Sequence, residues 1–202
     1  MKVLSITNQK GGTGKSTVTI LLACCLASDK YKVSILDIDT QRTIKSLSEL
    51  EESTIVDVYK TDIENVEKEL IRLEKDKYDF VFLDFPRFTN EDKKALFLLS
   101  ICDCVLVPSL GGIIEVLSTQ NFIKALQKLE VKHYVFLNKY RRLKEEKETI
   151  EILRKDAKVL TSTIQDLKLF KDVSLSSSIL KSKEGKKRFD GFYNEFKNLV
   201  LN

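Results

Sequence analysis

The sequence predicts a doubly wound α/β fold, in which helices cover both faces of a mostly parallel β-sheet and three layers result. Short segments that are apolar at nearly every position recur along the chain, and segments with helical apolar spacing separate them. Continuous rather than alternating apolar strands are typical of parallel sheets that are buried on both sides. The chain has 202 residues, 43% hydrophobic and 32% charged, so we expect one folded domain over residues 1–202.

The first half of the chain supplies three of the predicted strands. Residues 3–6 form a short buried strand, and after a glycine-rich turn residues 15–28 have the apolar spacing of a helix. Residues 32–38 form the next apolar strand, which ends in acidic residues. Apolar residues at helical spacing predict a helix over residues 63–77, and residues 78–84 form a third strand that ends in aspartate.

The second half supplies two more strands, over residues 104–108 and 133–138, with an amphipathic helix over residues 115–129 between them. A final helix is predicted over residues 184–201. We interpret its apolar stripe as facing the core, and a helix that lies in a membrane surface is the alternative. The stripe consists of Phe189, Phe192, Tyr193, Phe196, Leu199 and Val200.

Glycine is rare in this chain and unevenly placed. Three of the seven glycines lie within residues 11–14, between the first strand and the first helix. Glycines let a loop fold so that several backbone N–H groups point at one anion, and the following helix adds its positive N-terminal end. We therefore predict that this loop binds the phosphates of a nucleotide, through Gly11, Gly12, Thr13, Gly14, Lys15, Ser16 and Thr17.

The chemistry of phosphate loops gives individual roles to two of these residues. Lys15 is expected to contact the β- and γ-phosphates, and the hydroxyl of Ser16 is expected to bind Mg²⁺. The usual pattern G-x-x-x-x-G-K-[ST] is matched except at Gln9, which stands where the first glycine would be. The loop carries instead a second, earlier lysine, Lys10, in the segment KGGTGKS.

This loop resembles that of the deviant-Walker P-loop ATPases of the ParA/MinD family, and the chain is most like the small ParA-type DNA-partition ATPases. The resemblance covers most of the chain and is weaker after Thr161. It implies slow, partner-stimulated hydrolysis of ATP to ADP and phosphate with Mg²⁺. It also implies an ATP-bound homodimer in which Lys10 reaches the nucleotide of the partner subunit, where a cation can offset charge on the transferring phosphoryl group.

Three aspartates follow predicted strands, at the sheet edge where open α/β folds bind ligands: Asp37, Asp39 and Asp84. The segments 37–41 and 84–86 resemble the two switch motifs of the family. The resemblance implies that Asp39 orients the attacking water or helps to bind the metal, so Lys10 and Asp39 are the candidate catalytic residues. With Asp84 as an Mg²⁺ residue, the predicted metal set is Ser16, Asp39 and Asp84. Each aspartate taken alone has the alternative of a helix cap or turn residue.

Other positions match the family pattern or depart from it. Asn138 follows the last predicted strand in the place of an adenine-side motif, and its amide can both donate to and accept from a base edge. A polar strand-end residue is the alternative. Thr40 replaces a proline of the first switch, and Gln165 replaces the arginine of an Ile-Arg pair. Arg87 occupies a position of the second switch where smaller residues are common, and it could be a surface residue, a DNA contact or a partner contact.

The net charge of +4 comes from the C-terminal segment. Residues 168–202 contain eight basic and four acidic residues, whereas the rest of the chain contains equal numbers of each. Such a skew indicates a polyanionic partner. Phosphate contacts to DNA need charge rather than base recognition, so the candidate DNA contacts are Lys181, Lys183, Lys186, Lys187 and Arg188. A solvated basic surface is the alternative.

The resemblance implies a role in plasmid or chromosome partition. In that role the ATP-bound dimer binds nonspecific DNA and is released when a centromere-binding, ParB-like adaptor stimulates hydrolysis. We expect a cytoplasmic, nucleoid-associated protein without stable membrane insertion, because no apolar segment is long enough to span a bilayer and no signal peptide is visible. A MinD-like membrane-associated positioning ATPase, an iron–sulfur reductase and a scaffold with negligible turnover are the alternatives.

The four cysteines bear on the reductase alternative. They form two close pairs, Cys24 with Cys25 and Cys102 with Cys104, and neither pair has the C-x-x-C spacing of a zinc or redox site. We interpret them as small, buried apolar side chains in a reducing compartment.

Overall fold

The computed structural model of the chain describes residues 1–41, 43–141, 143–167, 170, 173–176 and 182–201. Its strands are β1 (Lys2–Ile6), β2 (Val33–Asp37), β3 (Asp57–Lys60), β4 (Phe80–Asp84), β5 (Cys104–Ser109) and β6 (His133–Leu137). They form a six-stranded sheet of order β3-β2-β4-β1-β5-β6, in which all neighbouring strands are parallel.

The centre of this sheet is β1, which pairs with β4 on one side and with β5 on the other. From β1 the chain crosses to β2 and β3 at one edge, returns to place β4 between β2 and β1, and then continues to β5 and β6 on the other side, so the strand order reverses beside β1. Ligands of open parallel sheets bind beyond the carboxyl ends of the strands at such a point. The loop that follows β1 therefore occupies the position expected of a binding site.

The edge strand β3 was not predicted from the sequence. Its four residues alternate between exposed and more buried positions, with Asp57 and Lys60 exposed and Val58 buried. It pairs only with β2, in the register Ile35 to Val58. A short strand with one neighbour needs no continuous apolar run, so the pattern that identifies the central strands is absent here.

The helices of the described residues are α1 (Lys15–Ser28), α2 (Thr43–Leu50), α3 (Val66–Lys75), α4 (Lys93–Ser100), α5 (Ile113–Lys128), α6 (Lys144–Leu153) and α7 (Lys183–Leu201). The helices predicted from apolar spacing are confirmed as α1, α3, α5 and α7. We did not predict α2, α4 and α6, and only Ile44 of α2 is fully buried. A helix of eight residues with one fully buried side chain, such as α2, leaves a weak periodic signal.

Two hydrophobic cores lie on the two faces of the sheet. One contains buried residues of α1, α2 and α7, such as Leu22, Ile44 and Phe192. The other contains residues of α3, α4, α5 and α6, such as Leu73 and Phe122. This three-layer arrangement confirms the predicted doubly wound α/β fold class. The assignment of residues 1–202 to a single domain stays a prediction.

The apolar stripe of α7 faces the sheet, as the sequence predicted. Phe189, Phe192 and Phe196 are each at most 2% exposed. The ring of Phe192 lies 4.8 Å from that of Phe136 in β6, and the ring of Phe196 lies 6.5 Å from that of Phe82 in β4. These side chains are therefore buried in the core in this structure and do not form an exposed lipid-binding face.

No helix in the described part of the chain is both long enough and apolar enough to cross a membrane.

Replacing Phe192 by alanine is expected to lower the free energy of unfolding by about 3–5 kcal/mol, because a fully buried ring leaves a cavity between α7 and the sheet. Urea denaturation measures the change. Phe97→Ala is the control, since Phe97 is 48% exposed on α4 and its removal should cost much less. Equal effects of the two substitutions would contradict the packing of α7 described above.

Candidate functional site

The loop between β1 and α1 has the backbone geometry of an anion-binding turn. Gly12 and Gly14 have φ angles of +75° and +86°, in the left-handed region that side chains disfavour. At Gly14 a Cβ would also overlap the amide nitrogen of Asn138. Gly14 precedes α1 directly, and no side chain caps that end of the helix. The backbone N–H groups of the first turn are thus left without a side-chain acceptor, in position to bind an anion.

A buried residue that the sequence reasoning did not single out holds the start of the loop. The Asn8 side chain is fully buried and donates to the carbonyl of Pro108 at 2.9 Å and to the hydroxyl of Thr119 at 3.1 Å. Its oxygen accepts the backbone N–H of Lys10 at 3.1 Å. Asn8 therefore ties the loop to β5 and α5. A polar residue two positions after a buried strand was the available signal.

Lys15 begins α1 and lies among charges of both signs. Burial is the largest influence on its ammonium group and lowers its pKa. The carboxylates of Asp84 and Asp39 oppose this effect, and the guanidinium of Arg87 adds to it. Lys15 is thus close to the two aspartates that the sequence placed beside it. A partly desolvated ammonium at a helix N-terminus is suited to bind phosphate oxygens.

Ser16 and Asp84 lie together, as the predicted metal site requires. The Ser16 hydroxyl donates to Oδ2 of Asp84 at 2.8 Å. Asp84 is 2% exposed, and its Oδ1 has no hydrogen-bond partner among the described residues. Burial raises the pKa of the Asp84 carboxyl to about 7, although the hydrogen bond from Ser16 lowers it. An unpaired carboxylate oxygen beside a hydroxyl is the type of oxygen ligand that Mg²⁺ prefers, so these residues fit the ion.

The other two aspartates differ in what they contact. Asp37 is fully buried at the end of β2, in register with Asp84, and accepts the backbone N–H of Lys45 at 2.8 Å. Burial raises the pKa of Asp37. Asp39 is half-exposed and accepts the N–H of Gln41 at 2.9 Å. Asp37 therefore anchors the start of α2, whereas Asp39 remains accessible at the rim of the site.

Comparison with known proteins agrees with this geometry. Residues 4–186 match the sequence profile of the CobQ/CobB/MinD/ParA nucleotide-binding domain. The chain belongs to this family. It is therefore a ParA/MinD-type P-loop protein, a member of a group of nucleotide-binding ATPases, and the predicted family assignment is confirmed.

Three similar proteins illustrate the range of similarity. The sporulation initiation inhibitor protein Soj of Bacillus subtilis is 24% identical over 169 residues, which cover 61% of this chain and 66% of Soj, slightly less than two thirds. A plasmid partition protein from Borrelia burgdorferi, solved with AMPPNP, is 21% identical with a TM-score of 0.73, and 98% of each chain is covered. The septum site-determining protein MinD from Pyrococcus horikoshii, solved with Mg-ADP, is 20% identical with a TM-score of 0.72, over 98% of this chain and 97% of that one.

Lys10, the earlier lysine of the loop, has a partly exposed side chain. Its ammonium group is 3.9 Å from the carboxylate of Glu115 in α5, and its side chain is 40% exposed. A second lysine also contacts the loop: the ammonium of Lys139 donates to the carbonyl of Gly12 at 2.9 Å. Lys10 is thus held by one partly exposed ion pair, which is a weak restraint.

Asn138 lies between the loop and a cavity of about 300 Å³. Its Nδ2 donates to the carbonyl of Thr13 at 2.7 Å, and its Oδ1 accepts the N–H of Lys139 at 3.0 Å. The cavity has apolar walls and a polar rim that includes Gln165. Its apolar lining was not predicted, because the sequence signal of such residues is the same as that of core residues. The apolar lining consists of Val18, Leu21, Ile164, Leu167 and Phe170.

The cysteine pairs are distributed over the two cores of the protein. Cys102 belongs to the core on one face of the sheet and Cys104 to the core on the other face, with Cys24. Burial raises the pKa of the Cys102 and Cys104 thiols. The pair Cys102 and Cys104 therefore does not converge on one point, and burial favours the thiol over the ligating thiolate.

The basic cluster begins helix α7, and Lys181 lies outside the described residues. Lys183, Lys187 and Arg188 are exposed and line a groove of about 680 Å³. Arg188 donates to the side chain of Gln165 at 2.9 Å. Lys186 is exposed but is not among the groove residues.

Gln165 therefore lines both the basic groove and the cavity beside Asn138. The structure brings these two surfaces together at a residue to which the sequence pattern assigned no role.

Proposed function

We propose that the protein is a ParA-like partition ATPase that binds Mg-ATP at the loop of residues 11–17 and hydrolyses it. The observation that carries the nucleotide proposal is the unpaired Oδ1 of Asp84 beside Ser16, at a loop with left-handed glycines. A buried carboxylate oxygen without a hydrogen-bond partner is costly, and a bound divalent cation removes that cost. The relatives solved with AMPPNP and with Mg-ADP support the same proposal.

In this proposal the chain's own residues position the triphosphate. Lys15 and the first N–H groups of α1 bind the β- and γ-phosphates, and Ser16 and Asp84 hold Mg²⁺. The ion supplies charge neutralisation on the phosphate oxygens. Asp39 orients the attacking water from the accessible rim of the site and is the third member of the proposed metal set. The base lies in the cavity of about 300 Å³, where Asn138 contacts the adenine edge.

The catalytic role proposed for Lys10 requires a second subunit. Lys10 is partly exposed and its ion pair with Glu115 is long, so little free energy is needed for its side chain to turn away from its own loop. We propose that it then contacts the nucleotide of the partner subunit in an ATP-bound homodimer. Its cation would stabilise the negative charge of the transferring phosphoryl group.

The proposal of DNA binding rests on the groove beside the first turns of α7. Three cations line it, with Glu184 as the acidic residue among its lining side chains. Arg188 also pairs with Glu184 at 3.7 Å. Such a surface favours phosphate contacts without base recognition. Because Gln165 belongs to both the groove and the proposed base cavity, a bound nucleotide can influence the groove directly.

Soj and the Borrelia protein support partition as the cellular role. We propose that the ATP-bound dimer associates with the nucleoid and is released when a ParB-like adaptor stimulates hydrolysis.

Charge reversal of the groove tests DNA binding. In the variant Lys183→Glu, Lys187→Glu, Arg188→Glu, the affinity of the ATP-bound protein for nonspecific DNA is expected to fall at least about tenfold. The slope of log affinity against log salt should also become shallower by about 0.9 for each DNA phosphate that the variant no longer neutralises. Fluorescence anisotropy at several salt concentrations measures both quantities.

The matched control is Lys144→Glu, Lys147→Glu, Lys155→Glu, which changes the net charge equally at exposed positions in and after α6. Equal DNA affinity of the groove variant and the unchanged protein would refute the proposed role of the groove in DNA binding. Co-sedimentation with anionic vesicles instead of DNA would favour a MinD-like membrane role over partition.

A further inference from the structure

The backbone of Arg87 is held in place by its neighbours in the chain. It lies in the loop between β4 and α4, three residues after Asp84. Phe85 and Phe88 on either side are 1% and 6% exposed, and the ring of Phe88 lies 5.8 Å from that of Phe85 and 5.7 Å from that of Phe122. The backbone at Arg87 is thus anchored in the core, while its side chain is exposed.

The guanidinium group of Arg87 lies directly against the phosphate loop. A Cβ placed on Gly11 would overlap its Cζ, Nη2 and Nε atoms. Gly11 does not have a positive φ angle, unlike Gly12 and Gly14. The backbone conformation therefore does not demand glycine at position 11. In this structure the end of the exposed Arg87 side chain occupies the space beside Gly11.

The charge of Arg87 is not balanced locally. Among the described residues Arg87 makes no ion pair, whereas Lys10 pairs with Glu115 and Lys139 donates to the carbonyl of Gly12. Lys10 and Arg87 line the same cavity at the strand end of the loop. Two cations that face one loop repel each other, and an anion between them removes the repulsion.

The location of Arg87 along the loop indicates which part of the nucleotide it would contact. The proposed base cavity borders Gly14, at the helix end of the loop. A second cavity, of about 450 Å³, borders Lys10, Gly11 and Arg87 at the strand end and shares no lining residue with the first. A nucleotide whose base occupies the first cavity points its last phosphate toward the second.

We propose that Arg87 binds the terminal phosphate of ATP within its own subunit, an inference that rests on the proposed ATP-binding function. The guanidinium offers a planar set of N–H donors that matches two phosphate oxygens, and it needs only a side-chain rotation from Gly11 to reach them. Since ADP lacks this phosphate, Arg87 discriminates ATP from ADP. It is an additional cation of the site, supplied by the same chain, beside Lys15 and the proposed Lys10 of the partner subunit.

The test compares affinities for mant-AMPPNP and mant-ADP, both with Mg²⁺, at protein concentrations low enough that size-exclusion chromatography with each nucleotide shows a monomer. Arg87→Ala is expected to weaken mant-AMPPNP binding about tenfold and mant-ADP binding less than about threefold, because alanine cannot make the charge-assisted hydrogen bonds to the last phosphate. Arg87→Lys should recover part of the difference, and Arg87→Met should behave like Arg87→Ala. Arg154→Ala, at an exposed arginine after α6, is the control for removal of one positive charge.

An unchanged ratio of the two affinities in Arg87→Ala, or a wild-type ratio in Arg87→Met, would overturn the inference, because Arg87 would then only support the loop by packing against it. Lys15→Ala, measured in parallel, separates this result from failure of the proposed function. If Lys15→Ala abolishes binding and Arg87→Ala leaves the ratio unchanged, only the proposed role of Arg87 is wrong. If Lys15→Ala binds normally, the phosphate site itself is wrong.

Discussion

Lys15→Ala is expected to abolish measurable binding of ATP and ADP, with affinities at least about a hundredfold weaker, because each charge-assisted hydrogen bond to a phosphate contributes about 1.5–3 kcal/mol. Lys15 begins α1, beside Asp84 and the proposed metal site, and it is the proposed contact to both the β- and γ-phosphates. Isothermal titration calorimetry with Mg-ATP and with Mg-ADP measures the decrease.

The control for this prediction is Lys68→Ala, at an exposed lysine of α3 on the other face of the sheet. It removes the same charge and should leave both affinities unchanged. Circular dichroism should show that Lys15→Ala remains folded, since the side chain supports no core packing. Unaltered ATP affinity in folded Lys15→Ala would overturn the assignment of the phosphate loop, and with it the proposals for Asp39, Asp84 and the dimer.

Asp39→Ala is expected to retain ATP binding, dimer formation and DNA association, but to lower the rate of hydrolysis by about 10²–10⁴-fold, the usual contribution of a residue that orients or deprotonates the nucleophile. Asp39 is the accessible one of the three aspartates, whereas Asp37 is buried and hydrogen-bonded to the backbone of α2. Phosphate release in the presence of DNA measures turnover, and size-exclusion chromatography with AMPPNP measures the dimer.

Two further variants, Asp76→Ala and Asp37→Ala, serve as comparisons for Asp39→Ala. Asp76→Ala, at an exposed aspartate after α3, should hydrolyse ATP normally. Asp37→Ala should instead lower the stability of the fold, because it removes the acceptor for the Lys45 N–H at the start of α2. Hydrolysis by Asp39→Ala at the rate of the unchanged protein would remove Asp39 from the mechanism.

Three of the unpredicted elements are short. β3 is an edge strand with alternating exposure, and α2 and α4 have eight residues each. The N-cap of α4, Asp92, accepts the N–H of Ala95 at 3.0 Å and is a local signal that the sequence did contain. In the other short elements, stability comes from packing on neighbours rather than from a pattern of their own.

The sequence by itself determined the central strands, the helices α1, α3, α5 and α7, the core-facing stripe of α7, the position of the glycine-rich loop and the family of the chain. Each depends on local order: apolar runs, helical spacing, or glycines concentrated between a strand and a helix. The residues proposed for the site, such as Ser16 and Asp84, could be named because parallel strands bring their carboxyl ends to one edge.

Only the tertiary structure decided which distant residues meet. Asn8 hydrogen-bonds the loop to β5, and Gln165 lines both the basic groove and the cavity beside Asn138. Arg87 lies against Gly11, which is 76 positions earlier in the chain. Such contacts depend on the order of strands in the sheet and on the paths of the loops between them. No local pattern of residue types encodes that information.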